Sequence, residues 1–190
     1  MADKQHRKAS KGTDEAETPQ GVYGQKIAED VPVWDSTASE KIISGNNNSF
    51  IVLGRDRNSS KASGAGGRGY TQCGSIDLVA GLDSSNGPSR KLRSPNFFTD
   101  AARVYITQKG KIDNYFGLAA GSTVGEAKWR SGVGVKADQV AIIGSKHVKI
   151  VTGVARTRGE EKNSQGGPLD GAGNIDLIAG NYTDDDSPKP

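Results

Sequence analysis

Two histidines, one cysteine and a recurring aspartate are the side chains from which this chain could assemble a reactive centre. Cys73 stands alone, which excludes an intramolecular disulfide framework and leaves it without a partner that would mark a nucleophile. His6 and His147 stand in neither His-x-x-x-His nor Cys/His spacing, so no metal-ligand pattern forms around them. Asp77 and Asp176 occupy equivalent places in a repeated phrase, and paired carboxylates can do acid–base work. Lys149 fills the same slot in a third copy, however, and an Asp at that slot reads as facing solvent on a strand's polar side or bonded to a neighbouring loop. Asp184, Asp185 and Asp186 lack the alternating ligands and the glycine of a calcium loop. Gly64-x-Gly-Gly-x-Gly69 is followed by Tyr70-Thr-Gln, not by the Gly-Lys-Ser/Thr and helix of a phosphate loop, and reads as a surface loop. Asn47, Asn58 and Asn181 begin Asn-x-Ser/Thr triplets, which carry meaning only on secretion. The reading therefore names no catalytic, cofactor-binding or metal residue and expects a protein that is not an enzyme and needs no cofactor.

The elements around these side chains read as β. From Val133 to Gly153, apolar and polar residues alternate in Val133-Gly-Val135-Lys-Ala137 and again in Val148-Lys149-Ile150, the period of a strand with one dry and one wet face. Gly144 and Gly153 each close an apolar run where the chain can turn. Ser75-Ile-Asp-Leu-Val-Ala-Gly81 and Asn174-Ile-Asp-Leu-Ile-Ala-Gly180 nearly repeat each other, and His147-Val-Lys-Ile-Val-Thr-Gly153 fits the same template. Phe50-Ile-Val-Leu-Gly54 and Val140-Ala-Ile-Ile-Gly144 are shortened versions, at spacings too irregular for a solenoid of fixed period. Ala102, Val104 and Ile106 alternate with Arg103, Tyr105 and Thr107, which predicts a further strand; β-branched Val104, Ile106 and Thr107 argue against a helix capped by Thr99 or Asp100. Ile112 to Gly121 fits either a loop with a short strand or one helical turn. The expected fold is all-β: a compact β domain, sandwich or barrel-like, built from repeated short strand–Gly units, with an extended N-terminal arm.

Three parts follow: a polar arm at 1–30, the β domain at 31–181 and an acidic tail at 182–190. Only 33% of residues are hydrophobic and 6% aromatic while 26 are Gly, so the chain can bury only a small core for its length. Part of its burial is therefore expected from neighbouring subunits. Residues expected to meet such partners are Val22, Tyr23 and Ile27 in the arm, Val31 and Trp34 after it, and the basic cluster Arg90, Lys91 and Arg93. Trp34 reads equally as a core anchor. The net charge of +3, from 25 basic and 22 acidic residues, gives no case for a nucleic-acid-coating protein. No apolar run approaches the length of a membrane span, and the N-terminus has no apolar core of a secretory signal, so a cytoplasmic origin is expected.

The order of the blocks carries a resemblance. Ser49-Phe-Ile-Val-Leu-Gly-Arg-Asp-Arg57, Gly64-x-Gly-Gly-x-Gly69-Tyr-Thr-Gln72, Gly74-Ser-Ile-Asp-Leu-Val-Ala-Gly81, Pro95-Asn-Phe-Phe98, Asp100-Ala-Ala-Arg-Val-Tyr-Ile106, Tyr115-Phe-Gly-Leu118, Val135-Lys-Ala-Asp138, Ile150-Val-Thr-Gly153, Asn163-Ser-Gln-Gly-Gly167 and Ile175-Asp-Leu-Ile-Ala-Gly-Asn181 are collinear over about residues 45–181. In that order they resemble a family of tailed-bacteriophage virion structural proteins. The family carries Arg and Glu near where Ser145 and Lys146 stand here. The resemblance implies a virion protein assembled in the host cytoplasm, homo-oligomeric in the particle, with phage capsid or tail proteins as partners. A capsid decoration or cement protein is the first expectation. A trimeric tail or baseplate component with stacked β units is the second. A carbohydrate-binding module using Trp34, Trp129 and the tyrosines is the third.

Overall fold

The structure is a computed structural model; it describes residues 31–57, 71–87, 90–119, 121, 124, 129–153, 162–169 and 173–181. The arm at 1–30 with Val22, Tyr23 and Ile27, the glycine loop at 64–69 and the tail at 182–190 lie outside the described residues.

Strands form where β-branched and aromatic residues run between turn residues. In chain order they are β1 (Val33–Trp34), β2 (Lys41–Ser44), β3 (Ser49–Arg55), β4 (Gly74–Ala80), β5 (Leu92–Arg93), β6 (Ala102–Gly110) and β7 (Arg130–Lys136), with one helical turn, α1 (Ile112–Phe116), between β6 and β7. The all-β class thus holds. Strands β2-β3-β4-β6-β7 make a five-stranded sheet, antiparallel throughout, and β1 pairs with β5 in a short parallel ribbon. The run 112–121 resolves to the helical turn, closed by Gly117 in the left-handed region at φ 62°.

The β2–β3 turn is fixed from outside. Asn48 takes φ 46°, and its side chain accepts from Leu82 N–H (3.0 Å) and donates to Leu82 O (3.3 Å), tying the turn to the end of β4. There Gly81 turns at φ 78°; a Cβ on it would lie 2.8 Å from Ala101 Cβ, so the position excludes side chains twice over. The chain after β4 folds back over one face of the sheet and returns as β6. Two small clusters fill the space beneath: Trp34, Phe50, Val52, Val79 and Leu82, and Phe97, Tyr105 and Tyr115 with Ile112 and Phe116 against them.

Two expectations are corrected. Residues 140–144 and 147–153 form no strand, and neither does 174–180, although 75–80 with nearly the same sequence is the central strand. A strand is stabilised by its neighbours, and among the described residues those stretches pair in no ladder; Ile143 and Leu177 are about nine-tenths exposed. The second correction concerns which face is dry. Asp77, Arg103, Tyr105 and Thr107 point to the covered side, while Ile76, Leu78 and Ile106 point out.

Candidate interaction surface

The covered face is held by ionic and phenolic side chains. Arg103 on β6 grips Asp77 on β4 with two parallel hydrogen bonds, Nε to Oδ1 and Nη2 to Oδ2, both 2.6 Å. Its Nη1 donates to Asp100 Oδ2 at 3.1 Å, and its guanidinium stacks 3.8 Å from the Phe97 ring centroid. Asp77 lies opposite Tyr105 in the ladder, so Arg103 is its diagonal neighbour two residues along the same strand. Asp56 accepts from Tyr105 Oη (2.7 Å), Tyr115 Oη (2.8 Å) and Thr71 Oγ1 (2.8 Å), joining β3, β6 and α1. A third group pairs Arg57 with Glu40 through two bonds (2.6 and 2.7 Å), and Glu40 also accepts from Trp34 Nε1 and the Thr37 N–H.

Burial raises the Asp77 and Asp100 carboxyls above their ordinary values, with Arg103 opposing it; two carboxylates share one guanidinium here. Burial and the neighbouring Asp56 charge push the Tyr105 hydroxyl far above the phenolic range, so it stays a donor. For Glu40, burial alone would raise the carboxyl, but the Arg57 hydrogen bonds, the Thr37 N–H and the Arg57 charge outweigh it and hold Glu40 low. The gap among Glu40, Arg57, Asp77, Arg103 and Tyr105 is no larger than one water molecule. These charges saturate one another, and the arrangement fixes strand positions with no room for a substrate.

The other face carries two aliphatic rows across the sheet. One cross-strand row runs Ile43, Ile51, Leu78, Val104, Val135, and a second runs Leu53, Ile76, Ile106, Val133. Lys41 on edge strand β2 stands opposite Leu53 at the end of the second row, and between β3 and β7 no charged side chain interrupts either row. Val133 and Val135 are more than half exposed, and Ile106, the least open of the residues outside Val104, still exposes 37%. Single exposed aliphatics are ordinary, but a contiguous apolar sheet face marks a contact surface. A shallow depression along Leu53, Ile76 and Ile106 ends at Gln108. Glycines Gly132 and Gly134 let β7 lie against α1, where a Cβ on Gly134 would collide with the Phe116 ring.

The residues expected at a partner interface separate. Trp34 is buried in its own chain, tilted against Phe50 at 5.4 Å, and Val31 packs on the same cluster. They are placed as core residues, because the ribbon of β1 and β5 folds them under the sheet. Arg90 and Lys91 are exposed, and Arg93 lies 3.0 Å from Asp83. Asp77 is buried where a solvent-facing position was expected, and Asp176 instead accepts from Val124 N–H at 2.9 Å; the two are not brought together. Of the aromatics considered for stacking on sugars, Trp34, Tyr105 and Tyr115 are buried, and Trp129 lies under Lys111 Nζ. His147 is exposed and Cys73 half-buried. Among the described residues no His, Cys, Asp and Glu cluster is arranged to hold a metal ion, and no helix is long and apolar enough to cross a membrane.

Reasoning from the sequence missed Asp56, Asp100, Glu40 and Arg103 as the fold's ionic centre, and missed the aliphatic rows as a surface. The rows carry a usable signal: Ile51/Leu53, Ile76/Leu78, Val104/Ile106 and Val133/Val135 are four pairs of aliphatics at the same i, i+2 spacing. No protein-family model, curated protein or solved structure matches the chain.

Proposed function

We propose that this protein is a structural subunit of a tailed-bacteriophage particle, most simply a capsid decoration or cement protein, that acts by burying its aliphatic sheet face against neighbouring subunits. The observation that supports this reading is the two uninterrupted aliphatic rows on the open face. Apolar area removed from water contributes about 25 cal/mol per Å², so a face of this kind has a large driving force for association and little other use. The collinear blocks from Ser49 to Asn181 supply the phage setting.

A second reading, a trimeric tail or baseplate component, is favoured by one observation: 174–180 repeats the central strand yet among the described residues joins no ladder, as a segment does when its partner strand belongs to another chain. The test is mass spectrometry of gradient-purified particles followed by immunogold labelling. Labelling spread over the head supports decoration, and labelling at one tail end supports the second reading. Absence from the particles, with the protein remaining in the soluble fraction, overturns both.

A further inference from the structure

Strand β7 is an edge of the five-stranded sheet. Among the described residues, the loop 162–168 reaches its start, where Ser131 N–H donates to Ser164 Oγ at 3.2 Å. Beyond that point Val133 and Val135 continue the two aliphatic rows to the edge and stop. A row ending on an open edge, with backbone groups facing outward, is a template for one more strand.

The chain carries a strand of the matching sequence. In Asn174-Ile-Asp-Leu-Ile-Ala-Gly180 the Ile, Asp, Leu, Ala and Gly of Ser75–Gly81 recur in order. In β4, Ile76 and Leu78 lie in the aliphatic rows and Asp77 reaches the covered face. The spare copy has the same alternation: Ile175 and Leu177 on one side, Asp176 on the other. Among the described residues, Asp176 accepts from Val124 N–H, and just beyond the segment Asn181 accepts from Ala119 N–H (2.6 Å) and donates to Gly117 O (2.7 Å).

We propose that residues 174–180 of one copy add antiparallel to β7 of a second copy, with Leu177 opposite Val133 and Ile175 opposite Val135, extending the aliphatic face across the junction. Every neighbouring pair in this sheet is antiparallel, which sets the direction. Charge sets the register. Asp77 lies opposite Tyr105 and pairs with Arg103, its diagonal neighbour; Arg103 and Tyr105 stand beside Lys136 and Gly134 in the ladder to β7. The proposed register puts Asp176 opposite Gly134 with Lys136 as its diagonal neighbour, the same relation one strand further out. Lys136 Nζ already lies on the covered side, donating to Phe98 O and Asp100 O at 2.9 and 2.8 Å. The β7 sequence contains two cations, Arg130 and Lys136, and no anion; 174–180 contains Asp176 and no cation, and Asp184, Asp185 and Asp186 follow it. The exchange closes when every copy both gives and receives a strand.

The inference rests on the self-associating reading above, and its test separates the two. Full-length chains carrying Cys73→Ser are made with Val133→Cys in one and Leu177→Cys, with a size tag, in the other. They are co-refolded from denaturant and oxidised, while native mass spectrometry records the assembly. A disulfide-linked band of mixed mass, far stronger in the mixture than in either chain alone, is expected; opposed Cα atoms in antiparallel strands lie within disulfide reach. The pair Val135→Cys and Ile175→Cys repeats the test if one variant misfolds. Assembled chains that give no mixed band with either pair overturn the strand exchange and leave self-association standing. Monomeric chains at every concentration overturn both.

Discussion

Along β4, Asp77 and Val79 lie beneath the returning chain, against Arg103 and Phe50, while Ile76 and Leu78, one residue away, face outward. The two faces of one sheet therefore divide their work in the opposite sense from the usual alternation. The covered face specifies: bidentate Arg103, Asp56 with its three hydroxyl donors, and Glu40 with Arg57 tie strands distant in sequence to single positions. The open face specifies little and attracts strongly, since an aliphatic surface is non-directional and complementary to itself. The difference teaches that the fold and the association of this protein are carried by different residues on the same strands, so they can be broken separately.

The sharpest break is on the covered face. Arg103→Ala leaves Asp77 and Asp100 buried without their cation, and removing one partner of a buried pair costs about 3–5 kcal/mol. Chemical denaturation should show a correspondingly weaker or absent cooperative transition. Asp56→Ala strips the shared acceptor from the buried Tyr105 and Tyr115 hydroxyls, while Thr71 Oγ1 keeps Lys109 O at 2.8 Å, and should lower stability by about 1–3 kcal/mol for each donor left unsatisfied, with a smaller loss for Asp56→Asn. A loss from either variant no larger than that of an exposed substitution would contradict the division between the faces.

The open face should respond in the opposite way. Val133→Ser with Val135→Ser changes the unfolding free energy of the dissociated chain by only about 0.5 kcal/mol per site, since both residues are more than half exposed there. Sedimentation velocity of the same variant should show assembly shifted to much higher concentration.

The smallest effect is in pH. Glu40 is held below its ordinary value of 4.5, so its contribution is complete above that value and is lost as pH falls through the lowered folded value. Asp77 and Asp100 run the other way: with folded values raised above 3.8, they favour the folded chain as pH falls through that raised range. Glu40→Gln should therefore flatten the acid side of a melting-temperature profile below the ordinary carboxyl value of 4.5. An unchanged acid slope would remove Glu40 from the account.

Much of the sheet is legible from alternation alone. Phe50–Gly54, Ser75–Ala80, Ala102–Thr107 and Val133–Lys136 all lie in strands, as the period-two pattern predicts. Alternation cannot say which side is dry. Asp77 is on the dry side because buried charge requires a partner, and that partner, Arg103, is 26 residues away, beyond the reach of any local pattern. Residues 140–153 and 174–180 read as strands for the same local reason, and stay exposed because pairing is a property of two segments and among the described residues they join no ladder. Trp34 illustrates the reverse: a large aromatic suited to an interface is drawn into the core by the β1–β5 ribbon.

The most direct measurement is oxidative footprinting of the full-length protein across a dilution series, read at Leu53, Ile76, Leu78 and Ile106. Slow labelling at high concentration that rises on dilution, while Phe97 and Tyr115 stay protected throughout, is the predicted result. Fast labelling of those four aliphatics at every concentration, in a protein that remains monomeric, would contradict the claim that another copy covers this face.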